Sequence, residues 1–260
     1  MIKIITGWSN PGGSTVAHIN LCNLFNQNGM DCILYGPHDW HLDKCRADKI
    51  DNGRIDKDDI IISHYIAIPK SVKSRKHIFS CHETNLCPIN GNFNLSNFNL
   101  IHYVSNSQKN WHKVNYPYVI IPNVIDDLKP NKKPSLGIAG VIGSIDPHKR
   151  THLSIEGAIL DGYLNIYLYG AIGDENYFKT KILPYVTTGR VIYKGHENDK
   201  QKMYDSINTV YHSSVRETFN YIKVECDKTG TIYRGLDSAN TDAEYKSKEE
   251  ILELWKAILR

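Results

Sequence analysis

The stretch that decides the fold is residues 213–230, which read SSVRETFNYIKVECDKTG. An apolar run at 208–212 precedes it, and a second short run at 231–234 follows it. This order predicts a strand, a turn, a helix and a further strand, which together form one unit of an α/β fold. The buried face of the helix is expected to carry residues spaced by three and four, namely Phe219, Ile222 and Cys226.

Two carboxylates belong to this stretch. Glu217 is expected at the entry of the helix, and Glu225 near its middle, beside the buried face. Both are predicted to face one cleft beyond the strand ends. The alternative is structural, because Ser214 and Glu217 also fit the S-x-x-E pattern of a capping box at a helix start.

The spacing of these acids resembles a known signature. Glu217, Glu225 and Gly230, with Ser213 and Ser214 upstream and Phe219 downstream of the first acid, resemble the retaining GT-B glycosyltransferases of the family-4-like group. The resemblance implies that Glu225 holds the ribose of a nucleotide-sugar and that Glu217 lies near the donor sugar. Asn220 and Cys226 stand where the family usually has Gly and Ala. The implied donor contacts in this stretch are Ser213, Glu217, Thr218, Phe219, Asn220 and Glu225.

Composition limits the classes of protein to consider. The chain has 260 residues, 41% hydrophobic and 23% charged, which suits two globular α/β domains. Its formal charge of +3 suits a phosphate-bearing ligand or an anionic membrane surface and is too small to indicate nucleic acid. Six cysteines without a C-x-x-C pair predict reduced thiols and a cytoplasmic protein. No stretch is long and apolar enough to span a membrane, and residues 1–6 read as a buried strand rather than a signal peptide.

The beginning of the chain predicts a βαβ unit. A strand at 2–6 leads into a loop with Gly12 and Gly13, and Ser14 is the expected N-cap of a helix that stops at Gly29. A glycine pair before a helix favours an anion, although the spacing is not the G-x-G-x-x-G of nicotinamide-cofactor enzymes. In the resembled family this loop touches the donor phosphate or sugar. A plain tight turn is the alternative.

Polar residues follow three predicted parallel strands of the first half. They are His64, His82 with Glu83, and Ser105. Parallel sheets bind ligands at these ends. His82 resembles the family's histidine that contacts the donor sugar, and a satisfied structural histidine is the alternative. Residues 122–126 resemble the family's P-N-G-[VI]-D turn, with Val124 in place of Gly, and are expected to end the first domain.

One competing group of residues would bind a metal. His38, His41 and Cys45 are spaced to meet on one side of a helix and to bind zinc, although no fourth ligand is evident nearby.

The second half opens with a predicted linker at 128–134 and a strand at 136–142. Asp146 is the expected N-cap of a helix beginning at Pro147, whose first turn would offer Lys149 and Arg150 to a diphosphate. The stretch resembles the family's G-R-x-x-x-x-K. Lys149 takes the Lys position, Ser144 stands where the Arg is expected, and Arg150 is the candidate replacement.

Two later segments complete the resemblance. Gly195 and His196 resemble the family's segment that borders the nucleobase. Ser247 opens a terminal helix with a capping box and an apolar stripe, Ile251, Leu254, Trp255 and Ile258. In the GT-B fold such a helix packs back across both domains.

These observations predict an α/β protein of the GT-B type, with two Rossmann-like parallel-sheet domains facing across a cleft. The expected bounds are 1–127 for the acceptor domain, 128–246 for the nucleotide-sugar domain and 247–260 for the terminal helix. His82, Glu217 and Lys149 are the expected catalytic residues. The expected donor-binding residues outside the 213–230 stretch are Gly12, Gly13, Ser144, Lys149, Arg150, Gly195 and His196.

The predicted reaction moves a sugar, with retention, from a UDP- or GDP-sugar to a glycan, lipid or small molecule, and it requires no cofactor or metal. A peripheral membrane contact and a homo-oligomer are both compatible with the sequence. The rival from another class is a non-catalytic protein of the same fold that binds a nucleotide-sugar or a partner chain. Ser144 and Asn220 favour this rival.

Overall fold

The computed structural model describes residues 1–9, 12–50, 55–66, 68–69, 71–84, 86, 94–131, 137–236 and 242–260. These residues form two compact units. Unit 1 comprises Met1–Ile125 with Asp242–Arg260, and unit 2 comprises Asp126–Thr241. Part of the predicted linker, 132–134, lies outside the described residues. The domain bounds expected from the sequence stay a prediction.

Unit 1 is built on a seven-stranded parallel sheet in the order β3-β2-β1-β4-β5-β6-β7. The strands are β1 Ile2–Thr6, β2 Cys32–Gly36, β3 Ala47–Lys49, β4 Ile60–His64, β5 Lys76–Cys81, β6 Leu100–Tyr103 and β7 Tyr118–Ile120. The order reverses between β1 and β4, where Ile2 pairs with both Cys32 and Ile60. Rossmann-like sheets bind ligands beyond the carboxyl ends of the strands at such a reversal.

The helices of unit 1 are α1 Gly13–Gln27, α2 Asn106–His112 and α8 Lys248–Leu259, with short 3-10 turns at Asp39–His41 and Leu95–Asn97. Helix α1 begins one residue before the predicted cap, because Gly12 is the N-cap and Ser14 lies in the first turn. The predicted stop is confirmed, since Gly29 adopts the left-handed conformation just beyond the helix, where glycine carries no steric penalty.

Helix α8 packs within unit 1. The predicted capping box is present, with the Ser247 hydroxyl accepting from the Glu250 N–H and the Glu250 carboxylate accepting from the Ser247 N–H. Trp255 is buried edge-on against Phe25 of α1, with ring centroids 5.8 Å apart. The buried residues of the helix are Ile251, Leu252, Trp255 and Leu259, and the predicted Leu254 and Ile258 are partly buried beside them. The expected packing of α8 across both domains stays a prediction.

Unit 2 is built on a five-stranded parallel sheet in the order β10-β9-β8-β11-β12. The strands are β8 Ile138–Ile142, β9 Asn165–Tyr169, β10 Val191–Gly195, β11 Thr209–His212 and β12 Ile232–Gly235. The helices are α3 Thr151–Leu160, α4 Glu175–Tyr177, a π segment Phe178–Ile182, α5 Leu183–Thr187, α6 Lys200–Asp205 and α7 Tyr221–Thr229. The predicted α/β class with two parallel-sheet domains is therefore confirmed.

Close backbone packing fixes the carboxyl edge of the unit 2 sheet. A Cβ atom on Gly170, just after β9, would lie 1.9 Å from the carbonyl oxygen of Gly143, just after β8. Gly170 also has a φ of 140°, in the region that favours glycine. Because only glycine fits at position 170, the loops that follow β8 and β9 can lie directly side by side.

The five described cysteines are unpaired. No helix in the described ranges is both long and apolar enough to cross a bilayer.

Candidate functional site

The loop between β11 and α7 carries Glu217. Helix α7 begins at Tyr221 and is capped by Asn220, whose side chain accepts from the Lys223 N–H. The helix ends at Gly230 in the left-handed conformation. The predicted helix entry at Glu217 is wrong, and so is the capping-box alternative for Ser214 and Glu217, because Asn220 supplies the cap. Glu217 is therefore a loop residue whose carboxylate is available for another role.

The turn after β8 also differs from its prediction. Helix α3 begins at Thr151 rather than Pro147, and Arg150 precedes it with a left-handed φ of 48°. The Asp146 carboxylate accepts from the Lys149 N–H at 2.8 Å and from the Ser144 hydroxyl at 2.5 Å. These bonds close a turn in place of a first helical turn. Ser144 therefore braces the segment that carries Lys149.

Arg150 ties the two loops together. Its Nε donates to the Ser213 carbonyl at 2.7 Å and its Nη2 to the Ser214 carbonyl at 3.0 Å. The backbone N–H of Val215 donates to the carbonyl of His148 at 2.9 Å. The loop after β11 is thus fixed against the turn after β8.

Lys149 and Glu217 meet where these loops join. The Lys149 Nζ lies 2.6 Å from the Glu217 Oε1, and the His212 Nε2 lies 3.0 Å from the same oxygen. The side chain of Glu217 is 14% exposed and that of Lys149 27%. Burial raises the pKa of Glu217, but the His212 hydrogen bond and the Lys149 charge outweigh burial and hold this pKa at about 2. The carboxylate is therefore ionised, with a lysine reaching solvent beside it.

Glu225 belongs to a second charged group. Its Oε1 lies 2.7 Å from the Lys200 Nζ, and its Oε2 accepts from the Tyr204 hydroxyl at 2.8 Å. Lys200 also pairs with Asp126 at 2.7 Å. Burial lowers the pKa of Lys200, but the charges of Glu225 and Asp126 outweigh it and raise this pKa. Burial, with the charge of Glu225, raises the pKa of Tyr204.

Glu225 is more buried than a carboxylate that is open to solvent. Glu225 is only 3% exposed, whereas the side chain of Lys200 is 31% exposed. Lys200 therefore lies on the solvent side of Glu225. The two acids of the signature have different partners, and the prediction that both face one cleft stays a prediction.

The remaining predicted residues of unit 2 surround these groups. Phe219 is buried against the ring of Tyr221, with centroids 4.8 Å apart, and Thr218 lies in the same loop. The Gly195 carbonyl accepts from the Gly170 N–H at 2.8 Å, and His196 after it is exposed.

In unit 1, the predicted His82 lies in a buried cluster of histidines. His82, His18 and His102 lie 3.1, 3.3 and 3.0 Å from the hydroxyl of Ser80, and His64 packs on His18 with ring centroids 4.7 Å apart. Burial lowers the pKa of His82 well below 6.5, helped by its histidine neighbours. Gly12 and Gly13 are exposed at the start of α1.

The zinc alternative finds no geometric support. The His41 Nε2 lies 3.0 Å from the Asp48 carbonyl, and the Cys45 thiol is directed at the His41 carbonyl. Across the described ranges, no group of three or more His, Cys, Asp or Glu side chains is arranged to hold a metal ion.

Sequence reasoning missed His212, Lys200 and Tyr204. His212 closes an apolar run and Lys200 opens a helix, so neither position carries a local signal. The partners come together only when β11, α6 and α7 pack in unit 2.

Comparison with known proteins shows the fold. No protein-family model matches the chain, and no curated protein matches its sequence. Among solved structures, Anabaena HepE in complex with UDP and glucose matches with a TM-score of 0.68 at 15% identity, over 99% of this chain and 89% of that chain. A glycosyltransferase from Rickettsia africae ESF-5 matches with a TM-score of 0.72 at 11% identity, over 99% and 88% of the two chains.

AviGT4, a glycosyltransferase involved in avilamycin A biosynthesis, matches with a TM-score of 0.64 at 15% identity, over 98% of this chain and 88% of that chain. These similarities agree with the two parallel sheets described above. The chain therefore has the fold of the GT-B glycosyltransferases.

Proposed function

We propose that this protein is a glycosyltransferase that moves a sugar from a nucleotide-diphosphate-sugar to an acceptor, with retention of anomeric configuration. The observation that carries the proposal is the ion pair of Lys149 and Glu217 at 2.6 Å, held where the loops after β8 and β11 join. Solved neighbours of the same fold add support, because HepE was crystallised with UDP and with UDP-glucose.

Lys149 is proposed to neutralise the diphosphate of the donor. The leaving group of glycosyl transfer is a nucleoside diphosphate, and fixed donors and cations stabilise the charge that develops on it. Lys149 suits this role because its ammonium is partly exposed while its backbone is fixed by Asp146. Ser144 and Arg150 contribute by bracing the two loops. This account requires no metal and no protein nucleophile.

Glu225 is proposed to bind the ribose of the donor. Each carboxylate oxygen can accept two hydrogen bonds, and among the described residues each has one partner, Lys200 for Oε1 and Tyr204 for Oε2. One acceptor position on each oxygen is then left for a ribose hydroxyl. The hydroxyl would reach the carboxylate when the partly exposed Lys200 side chain moves aside. Gly195 and His196 are proposed to border the base.

Unit 1 is proposed to contribute Gly12, Gly13 and His82 to the sugar and acceptor side. His82 acts as a neutral imidazole, because burial lowers its pKa. The acceptor is proposed to be a glycan, a lipid or a small molecule, and a peripheral membrane contact or a homo-oligomer is compatible with it. The unpaired state of the described cysteines favours a cytoplasmic location.

A second candidate is a non-catalytic nucleotide-sugar-binding protein of the same fold. It is favoured by Ser144, which stands in the place of a phosphate-binding Arg and instead bonds to Asp146. It is also favoured by Lys200, which occupies the exposed side of Glu225. The two candidates differ in whether a bound donor is broken down.

The test has two stages. Thermal unfolding is measured with UDP, GDP and ADP, and we expect one of them to raise the midpoint. Lys149→Met and Glu225→Gln should each reduce that shift, while Lys179→Met, an exposed lysine of the same unit, should leave it unchanged.

Slow release of free sugar from the matching nucleotide-sugar then identifies a transferase, and binding without release identifies the non-catalytic protein. Unchanged nucleotide affinity in both Lys149→Met and Glu225→Gln would show that the assigned residues are wrong.

A further inference from the structure

The ion pair of Lys149 and Glu217 raises a problem for diphosphate binding. A diphosphate beside Lys149 would bring negative charge next to the Glu217 carboxylate, and like charges at such distances repel strongly in a partly buried site. Lys149 alone would have to balance both anions. A second hydrogen-bond donor to the Glu217 carboxylate removes this conflict.

His212 is placed to be that second donor. It is the last residue of β11 and is 3% exposed, and its Nε2 lies 3.0 Å from the same oxygen that contacts Lys149. Its backbone is fixed on β12, because the His212 carbonyl accepts from the Leu236 N–H and His212 pairs with Gly235. The imidazole is therefore held against Glu217 independently of Lys149.

The strand itself does not require a histidine at this position. The two residues before it, Val210 and Tyr211, are buried and hydrophobic. A buried imidazole is costly unless its nitrogens have partners, and the Nε2 finds its partner in Glu217. The other oxygen, Oε2, has no protein hydrogen bond among the described residues, so one face of this carboxylate stays available to a ligand.

We infer that His212 is a positioning residue of the donor site: it holds the Glu217 carboxylate, and so leaves the charge of Lys149 to serve the diphosphate. The inference rests on the proposed function. It assigns the diphosphate end of the donor to a three-residue group, Lys149, Glu217 and His212, in which Glu217 orients the lysine and His212 offsets the carboxylate. His212 acts only through Glu217.

The test is a double-mutant cycle read by UDP affinity in isothermal titration, with GDP as the second probe. His212→Leu should weaken UDP binding by about tenfold or more, the usual effect of losing a hydrogen bond to a charged group. His212→Gln, which keeps an N–H donor, should recover most of the affinity. In the Glu217→Gln background, His212→Leu should change the affinity less than about twofold, since no charge is left to offset.

A purely structural role for His212 would give the same loss in both backgrounds, and it would overturn the inference, as would full affinity in His212→Leu. Thermal unfolding of each variant identifies any that fail to fold. If His212→Leu does not fold, His212→Asn takes its place in the cycle with Glu217→Gln, because the shorter side chain places its N–H short of the Glu217 carboxylate. Absence of UDP, GDP and ADP binding by the unmodified protein would overturn the proposed function and this inference together. Wild-type binding with an unaffected His212→Leu variant would overturn the inference alone.

Discussion

The buried histidines of unit 1 predict a steep loss of stability below neutral pH. Burial lowers the pKa of both His77 and His102 to about 4, and that of His18 and His82 well below 6.5. The unfolded chain therefore binds protons from pH 6.5 downward, while the folded unit does not. The free energy of unfolding is therefore highest above pH 6.5, and it falls as the pH falls from 6.5 to 4.

The size of the loss follows from these values. A histidine with a pKa of about 4 when folded and about 6.5 when unfolded loses about 2 kcal/mol of stability between pH 7.5 and pH 5. His77 and His102 together therefore account for about 4 kcal/mol, and His18 and His82 add to it. Most carboxylates titrate below this interval, so they contribute little to the loss.

The assay is urea unfolding at the two pH values, followed by tryptophan fluorescence. All four tryptophans lie in unit 1, and the ring of Trp255 lies 4.7 Å from that of His102, so the signal reports this unit. The variant His77→Gln should reduce the difference between the two pH values by about 2 kcal/mol. His38→Gln, an exposed histidine of unit 1, should leave the difference unchanged. Equal stability at pH 7.5 and pH 5, or an unaltered difference in His77→Gln, would refute the reasoning.

Three further predictions test the structure, the first with its own control substitution. Gly170→Ala should lower the free energy of unfolding of unit 2 by about 3 kcal/mol or more, because the added Cβ would clash with the Gly143 carbonyl. The control is Gly189→Ala, at a left-handed glycine with open space around the added Cβ, which should lower this free energy by only about 1 kcal/mol. Unfolding of both variants is followed by circular dichroism. Ser247→Ala should lower the free energy of unfolding of unit 1 by about 1 kcal/mol, measured by tryptophan fluorescence. An unchanged free energy of unfolding would contradict the capping role. Arg150→Lys should weaken UDP binding about tenfold, because an ammonium cannot hold both loop carbonyls; full affinity would show that the loop needs no such tie.

The sequence predicted the α/β units well because local patterns determine them. Buried apolar runs became parallel strands, and the glycine stop of α1 and the capping box of α8 lie where the patterns placed them. The start of α3 was missed because the Asp146 carboxylate closes a turn on the Lys149 N–H instead of capping a helix. The start of α7 was missed because Asn220 is the residue that caps it.

Only part of the candidate site could be predicted from the sequence. The signature pointed to Glu217 and Glu225, but their partners His212 and Lys200 come from other elements, and spacing along the chain does not show them. The clustering of His82 with His18 and His102 around Ser80 was hidden for a similar reason. Single polar residues inside buried strands give no periodic pattern, and their contacts arise only when β5 and β6 pair and α1 packs against the sheet.

A crystal structure of the protein with UDP, or with GDP if GDP binds more tightly, tests the central claim most directly. The account predicts the diphosphate within hydrogen-bond distance of the Lys149 Nζ and the ribose hydroxyls at the Glu225 carboxylate. A nucleotide bound away from both residues would contradict it.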